Sequence, residues 1–367
     1  MRNILKAAAI VITIAIGLAL GVGNGRITKA SYLFAAERQA PQTIRFKLFT
    51  VFDDQLRLPA VQMLVPADWE GQGRVIWRSH PQYPVAVVAR IYNPKGREEL
   101  NILPDVPYAD GVFFPQGSNY LGNEVRHLIA DPSQYVKQIA IPRFRPLLLK
   151  ASVVGVEPLP KLAAAAAAKY GNFPGLEVRA AKVRFEYEES GHAVQEDVFC
   201  VLVVLRSGGI TFWGTDGLVA CKAKKGELDD QLKTFETIVY SSKPQVQWFN
   251  AVTQIKTLME QNAYRQSQQA VELSFYLSHV NSQISDTIRR SYEQHVATID
   301  RVHENFDTYI RGVEKYRDPS QDRVVELPSG YRNAWSNQAG EYIVSNDANF
   351  NPNIGSTRQW QQLRQAR

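Results

Sequence analysis

The sequence predicts an α+β fold: an antiparallel sheet with flanking helices, then a long α-helical hairpin or coiled-coil segment, then a short aromatic tail. Three observations carry that expectation. Residues 42–243 hold most of the proline and glycine and nearly all of the alternating apolar pattern typical of strands. Residues 245–311 form a run of 67 residues with neither glycine nor proline, which favours helix. Residues 318–367 are rich in Asn, Gln, Ser, Gly and Pro, with aromatics scattered among them.

Ahead of these regions, residues 1–25 carry the pattern of an export signal. Arg2 and Lys6 make a short positive start, and Ala7 to Val22 contains no charged residue. As a helix those 16 residues span about 24 Å, short of a hydrocarbon core of ~30 Å. That length suits a signal peptide better than a membrane-spanning helix. Ala19-Leu20-Gly21 and Gly23-Asn24-Gly25 both offer small residues for cleavage, and an uncleaved N-terminal anchor is the alternative. The expected location is periplasmic or secreted, with membrane contact only through an uncut N-terminus. Formal charge is 42 − 36 = +6, or +4 without Arg2 and Lys6, too mild an excess to indicate nucleic acid.

Within the first region, Val61, Met63 and Val65 alternate up to Pro66, and Val75 to Trp77 resumes after Gly71 and Gly73. Val85, Val87 and Ala89 alternate, as do Val183, Phe185 and Tyr187. Val198 to Leu205 is a continuous apolar run, which predicts a strand covered on both faces. The turn Ser207-Gly208-Gly209 makes Ile210 to Trp213 its hairpin partner. Lys161 to Tyr170, with six consecutive alanines before Gly171, predicts a helix, and Leu228, Leu232, Phe235 and Val239 mark the face of another.

A strand ending in Pro66-Ala67-Asp68-Trp69, a set of hairpins, and a closing helix from Phe235 to Ser241 with Pro244 and Trp248 after it resemble the Mog1/PsbP-like fold over residues 42–250. That resemblance implies a binding or assembly module and brings no set of functional residues with it. The six-alanine helix and the insert between Pro115 and Pro158 depart from a minimal version of the fold.

In residues 245–316, Ile288, Tyr292, His295, Ile299, Val302, Phe306, Tyr309 and Val313 alternate spacings of four and three. That is the seam of a coiled coil. Leu273, Leu277, Val280 and Ile284 keep the spacing upstream, and Trp248, Val252, Ile255 and Met259 form a shorter stripe. A helical hairpin turning near Asn281 and a single helix pairing with a partner chain both fit, so a homo-oligomer through 245–316 is one expectation. His295 and His303 lie eight apart, not at the four-residue spacing of a helical metal pair.

No residue set points to catalysis, a metal or a cofactor. Gly21 to Gly25 falls inside the signal rather than after a strand, and Ser118 lies in a polar turn. Gly214-Thr215-Asp216-Gly217 predicts a tight turn, while Glu186, Glu188 and Glu189 predict a solvated strand edge and Lys222, Lys224 and Lys225 a solvated face. Cys200 and Cys221 flank the hairpin, leaving a disulfide and two separately buried thiols both open. In the tail, Trp335, Tyr342 and Trp360 predict either anchors of a small hairpin or an aromatic surface for glycan or peptide; the segment resembles tails of exported bacterial proteins of unknown function. The leading expectation is an exported, non-catalytic binding or scaffolding protein with a protein partner. A secretion or assembly factor and an envelope hydrolase with a scattered site are the alternatives.

Overall fold

A computed structural model describes residues 43–171, 173–265, 293 and 313–366. Its largest sheet has ten strands. The main path runs β3 (Glu70–Trp77), β4 (Val85–Tyr92), β5 (Glu99–Leu103), β12 (Ile210–Lys224), β11 (His192–Ser207), β10 (Leu176–Glu189), β9 (Ser152–Pro158). β6 (Pro107–Asp110) pairs with β12 and with β8 (Asn123–Val125), and β7 (Asn119–Tyr120) pairs with β8. The second sheet runs β13 (Lys243–Pro244), β2 (Leu58–Pro66), β1 (Thr43–Asp53), β17 (Tyr342–Ser345), β16 (Asn333–Asn337), β18 (Trp360–Gln362). A third consists of β15 (Arg323–Pro328), β14 (Val313–Asp318) and β19 (Arg364–Gln365). Among the described residues every pairing is antiparallel except β6 with β8. The fold is mostly antiparallel β-sheet with a few helices packed on it, which agrees with the sheet part of the expectation.

The hairpin of β11 and β12 is the centre. Gly208 and Gly209 both have positive φ, 60° and 85°, which a two-residue turn of the I′ type requires. Along β11, Phe199 and Val201 enter one core while Val198, Cys200, Leu202 and Val204 enter another, the period of two that places successive side chains on opposite faces. The first face is covered by α2 (Pro160–Ala168), α3 (Leu228–Tyr240), the start of α4 (Val246–Arg265) and β2. The second is covered by α1, a helical stretch made of Pro132–Tyr135, Val136–Ala140 and Ile141–Phe144. α2 packs its small side chains Ala163, Ala165 and Ala166 against the sheet, so its backbone approaches closely.

This two-sided burial decides the cysteines. Cys200 belongs to one face and Cys221 to the other, and both thiols are free. Cys221 lies opposite Asp197, three positions along β11 from Cys200. Three residues of strand cover about 10 Å, beyond the ~7 Å Cα separation a disulfide tolerates. The bridge that the hairpin suggested is therefore replaced by two separately buried thiols, whose proton affinity burial raises.

Charged residues on this hairpin are buried in pairs. Glu196 is 0% exposed and accepts from Arg145 Nε and Nη2, both at 2.8 Å, and from Tyr187 Oη at 2.7 Å. Its neighbour Asp197 takes Arg184 on the opposite face through two bonds of 2.7 Å. Lys222 is not on a solvated face: it is buried between Glu189 at 2.9 Å and Glu99 at 3.4 Å. Of the three glutamates expected on a solvated strand edge, Glu186 is paired on both sides, opposite Gln195 and Ser152, while Glu188 and Glu189 lie past the end of β9 and Glu188 is exposed.

Residues 318–366 pack on the body, as the hairpin-anchor expectation has it: β17 pairs with β1, Thr43 opposite Ser345, so the second sheet joins both ends of the described chain. Of the long helical segment, α4 places Trp248, Val252 and Ile255 in the core as the stripe predicts. Ile288, Tyr292, His295, Ile299, Val302, Phe306 and Tyr309 lie outside the described residues, so the hairpin or coiled coil is not shown. Val313, the last seam position, opens β14 and pairs with Pro328 instead of continuing a helix.

Replacing Arg145 by Met strands the Glu196 carboxylate in the core. Urea unfolding should show a loss of about 3–5 kcal/mol, and the double variant Arg145→Met/Glu196→Met should recover most of it. A single variant as stable as the parent would show that this ion pair does not hold α1 to the hairpin.

Candidate functional site: a polar cluster at the β12 bulge

The regular ladder between β11 and β12 slips at one place. Cys200 lies opposite Leu218 but Leu202 opposite Thr215, so Asp216 and Gly217 together face Val201. This is a β-bulge, and Gly217 supports it with φ of 128°. Gly214 to Gly217 is therefore not the tight turn its glycines suggest but the middle of β12. The extra residue bends the strand and turns the Asp216 carboxylate towards the C-terminal end of α2.

Asp216 is 5% exposed. Its Oδ2 accepts from Tyr170 Oη at 2.8 Å and lies 3.4 Å from Lys169 Nζ. Its Oδ1 has no hydrogen-bond partner among the described residues. The next backbone N–H, of Gly217, donates to Asp105 Oδ1 at 2.9 Å, which brings a second carboxyl beside the first. Val106 N–H donates to Thr215 Oγ1 at 3.2 Å and fixes the chain that carries Asp105.

Asp105, Tyr83, Lys169, Tyr170 and Arg78 are all half-buried. Yet burial drives the Asp105 pKa up to about 7, with the Asp216 charge adding to the effect and the Gly217 N–H and Arg78 opposing it. Burial also raises the Asp216 pKa, against the pull of Lys169 and Tyr170. Burial raises Tyr83 above its ordinary value as well, and the charges of Asp216 and Asp105 act in the same direction.

The third side of the cluster is set by His80. Its Nδ1 accepts N–H bonds from Gln82 at 3.1 Å and Tyr83 at 3.0 Å. Nδ1 is thus the acceptor, and Nε2 carries the proton and donates to Asn123 Oδ1 at 3.3 Å. Burial lowers the His80 pKa to about 4, so the ring is neutral and serves to position the loop that carries Arg78 and Tyr83. Arg78 is lowered by burial and held up by Asp105.

None of these residues was singled out from the sequence as a site. Asp105 and Gly217 are 112 positions apart, and only the pairing of the sheet joins them. The positions that were singled out lie elsewhere. Trp335, Tyr342 and Trp360 are buried and form no exposed aromatic surface. Tyr342 Oη donates to Asp318 Oδ2 at 2.6 Å, and the Trp335 ring meets Phe350 edge to face. They anchor the tail on the second sheet. No group of three or more metal-ligating side chains occurs among the described residues.

No family model and no curated protein matches the chain. Among solved structures, the chain is similar to LpqN of Mycobacterium tuberculosis, described as involved in cell envelope biogenesis, at 13% identity and a TM-score of 0.22, over 55% of this chain and 91% of that one. It is also similar to a protein of Bacteroides thetaiotaomicron VPI-5482, at 12% identity and a TM-score of 0.21, over 76% of this chain and 85% of that one. A likeness at this level identifies neither the fold nor the function. No helix among the described residues is long and apolar enough to cross a membrane.

The site makes a pH prediction. An unfolded Asp titrates near 3.9, whereas folded Asp105 titrates at about 7. The folded chain therefore holds the proton longer, and Asp105 lowers stability progressively as pH rises across that window and by a constant amount above it. Asp105→Asn removes this term. Its stability relative to the parent should improve between about pH 5 and about pH 8 in urea unfolding; a difference independent of pH would show that Asp105 is not desolvated.

Proposed function

We propose that the chain is an exported, non-catalytic binding protein that takes a small polar ligand at the polar cluster of the β12 bulge. The observation that supports this most directly is Asp216, a carboxylate held at Oδ2 by Tyr170 and Lys169 and left without a partner at Oδ1. A buried acceptor without a donor costs about 1–3 kcal/mol, and a bound molecule that supplies the donor recovers it. Converging polar groups held in place by their neighbours are one ingredient of a ligand site. The Mog1/PsbP-like reading of residues 42–250 belongs to this proposal, since it implies a binding module. Export rests on residues 1–25.

A second reading, an envelope hydrolase, is favoured by one observation: Asp105 holds a proton to about pH 7 beside Asp216. A carboxyl that keeps its proton to about pH 7 beside a second carboxyl is equipment for acid–base chemistry. Recovery of the bound compound intact supports the binding reading, and its cleavage supports the other.

Two experiments test the proposal. Residues 1–25 fused to a signal-less alkaline phosphatase should give active enzyme outside the cytoplasm, and removal of Ala7 to Val22 should abolish it. The full chain should bind at least one class in a panel of sugars, nucleosides, fatty acids and amino-acid zwitterions, with ligand-observed NMR as the readout and Asp216→Asn as the control. If no class binds, or if binding ignores the substitution, the cluster is not the site.

A further inference from the structure

The loop that runs from β6 through β7 to β8 ends in an apolar tip. Phe113 is the most exposed large apolar side chain among the described residues, at 107%, and the same loop carries Leu121 at 63% and Phe114 at 50%. The tip is mounted on the sheet: the Phe114 ring leans on Tyr120, 5.4 Å between centres, and Tyr120 stacks on Phe212 of β12 at 6.4 Å. Folding gives no reason for a leucine at position 121. Leu121 and Gly122 form the two-residue turn between β7 and β8, with φ of 52° and 90°. Such a turn of the I′ type favours Asn, Asp or Gly at its first central position. Here an apolar side chain is kept there against local preference and left in the open.

The polar groups of the loop are turned inward. Ser118 Oγ donates to the Pro115 carbonyl at 2.6 Å, and Asn119 Oδ1 accepts the Gly122 N–H at 2.9 Å. Gln116 Oε1 accepts the His127 N–H at 3.0 Å, and Asn123 Nδ2 donates to the Tyr120 carbonyl at 3.1 Å. The Gly117 N–H donates to Val125 O and the Val125 N–H to Ser118 O, both at 2.8 Å. Gly111 to Asn123 contains no charged residue. The charges at its two ends are matched: Asp110 accepts the main-chain N–H groups of Gly111 and Leu128, and Glu124 meets Arg126 and Arg143, each at 2.9 Å.

These features separate the two kinds of surface that exposed apolar side chains serve, a protein partner and a membrane. A protein interface is bound partly through hydrogen bonds across it, about one for every 100–200 Å². Hydrocarbon supplies none, so whatever enters it must satisfy its polar groups beforehand and bring no charge. The loop meets the second requirement. We infer that it is a membrane contact, in which Phe113, Phe114 and Leu121 enter the interfacial layer of a phospholipid bilayer and Tyr120 lies at headgroup level, where tyrosine is favoured. A bilayer takes a projecting tip without a matching pocket. With no uncompensated cation at its rim, the tip enters neutral and anionic bilayers alike. This contact is separate from the polar cluster at the bulge and from residues 1–25.

The apolar run Ala7 to Val22 would itself hold the full chain on vesicles, so the test reads the tip locally. Phe113→Cys in the full chain is labelled with a nitrobenzoxadiazole fluorophore; Cys200 and Cys221 are buried and stay unlabelled. The same label on Ile354→Cys, an exposed apolar position in the tail, is the control. Vesicles of phosphatidylcholine, alone or in equal parts with phosphatidylglycerol, carry bromine on their acyl chains as quencher. The label at 113 should be quenched on both vesicles and the label at 354 on neither. Adding Leu121→Asn, which suits the turn and spares the fold, should lower the equilibrium for insertion about fivefold or more. A label at 113 that is not quenched, or is quenched only with phosphatidylglycerol, overturns the inference. Equal quenching at 354, or indifference to Leu121→Asn, overturns it too. An unquenched label on a chain whose solution mass falls to that of a monomer with Phe113→Ser would assign the tip to a contact between copies instead.

Discussion

The structure depends on one constraint, the burial of the β11–β12 hairpin on both faces. A strand with one wet face can hold charged side chains there freely. These two strands cannot, so each charge on them needs a partner brought from elsewhere in the chain. Glu196 and Asp197 are neighbours that point to opposite faces, and Arg145 and Arg184 reach them from different elements. Lys222 is enclosed between Glu99 and Glu189. At Glu99 burial alone would favour the protonated form, but the bonds from Arg90 and Asn101 and the Lys222 charge outweigh it and hold the pKa to about 2. That carboxylate stabilises the fold above the ordinary Glu range, and its contribution is lost only as pH falls towards about 2. Paired charges of this kind fix register more than they add stability.

The same constraint explains why the cluster forms where it does. A bulge in a doubly covered strand has no solvent side to point its extra residue towards. Asp216 therefore turns into protein, where Tyr170 and Lys169 meet one oxygen and nothing meets the other. Elsewhere on the hairpin the chain satisfies its charges completely. Glu196 accepts three hydrogen bonds from side chains, whereas Asp216 Oδ1 accepts none among the described residues.

Much of the fold was legible in the sequence because it rests on local pattern. The unbroken apolar run from Val198 to Leu205 gave the doubly covered strand, Gly208-Gly209 the turn, the alanine run α2, and the stripe beginning at Trp248 the first part of α4. What stayed hidden depends on partners far away. Thr43 meets Ser345 across almost the whole chain, and Lys222 looks as solvated as its neighbours Lys224 and Lys225, which are exposed, until Glu99 and Glu189 are found to enclose it. Gly214 to Gly217 misled for a physical reason: turns and bulges both call for glycine at unusual φ, and local sequence does not separate them. The cluster was not legible at all. Asp105, Asp216, Arg78 and Tyr83 are ordinary residues until the sheet brings them together.

The cysteines show how the constraint acts on chemistry as well as on shape. An oxidising compartment favours a bridge between two thiols only where the backbone lets them meet. Here the sheet itself stands between Cys200 and Cys221, and burial raises the proton affinity of both. Neither is therefore a ready thiolate, and neither needs protection from exchange. The burial that makes the thiols inert also forces the Asp216 carboxylate out of solvent at the bulge. One packing arrangement thus makes two thiols inert and leaves one carboxylate oxygen without a donor.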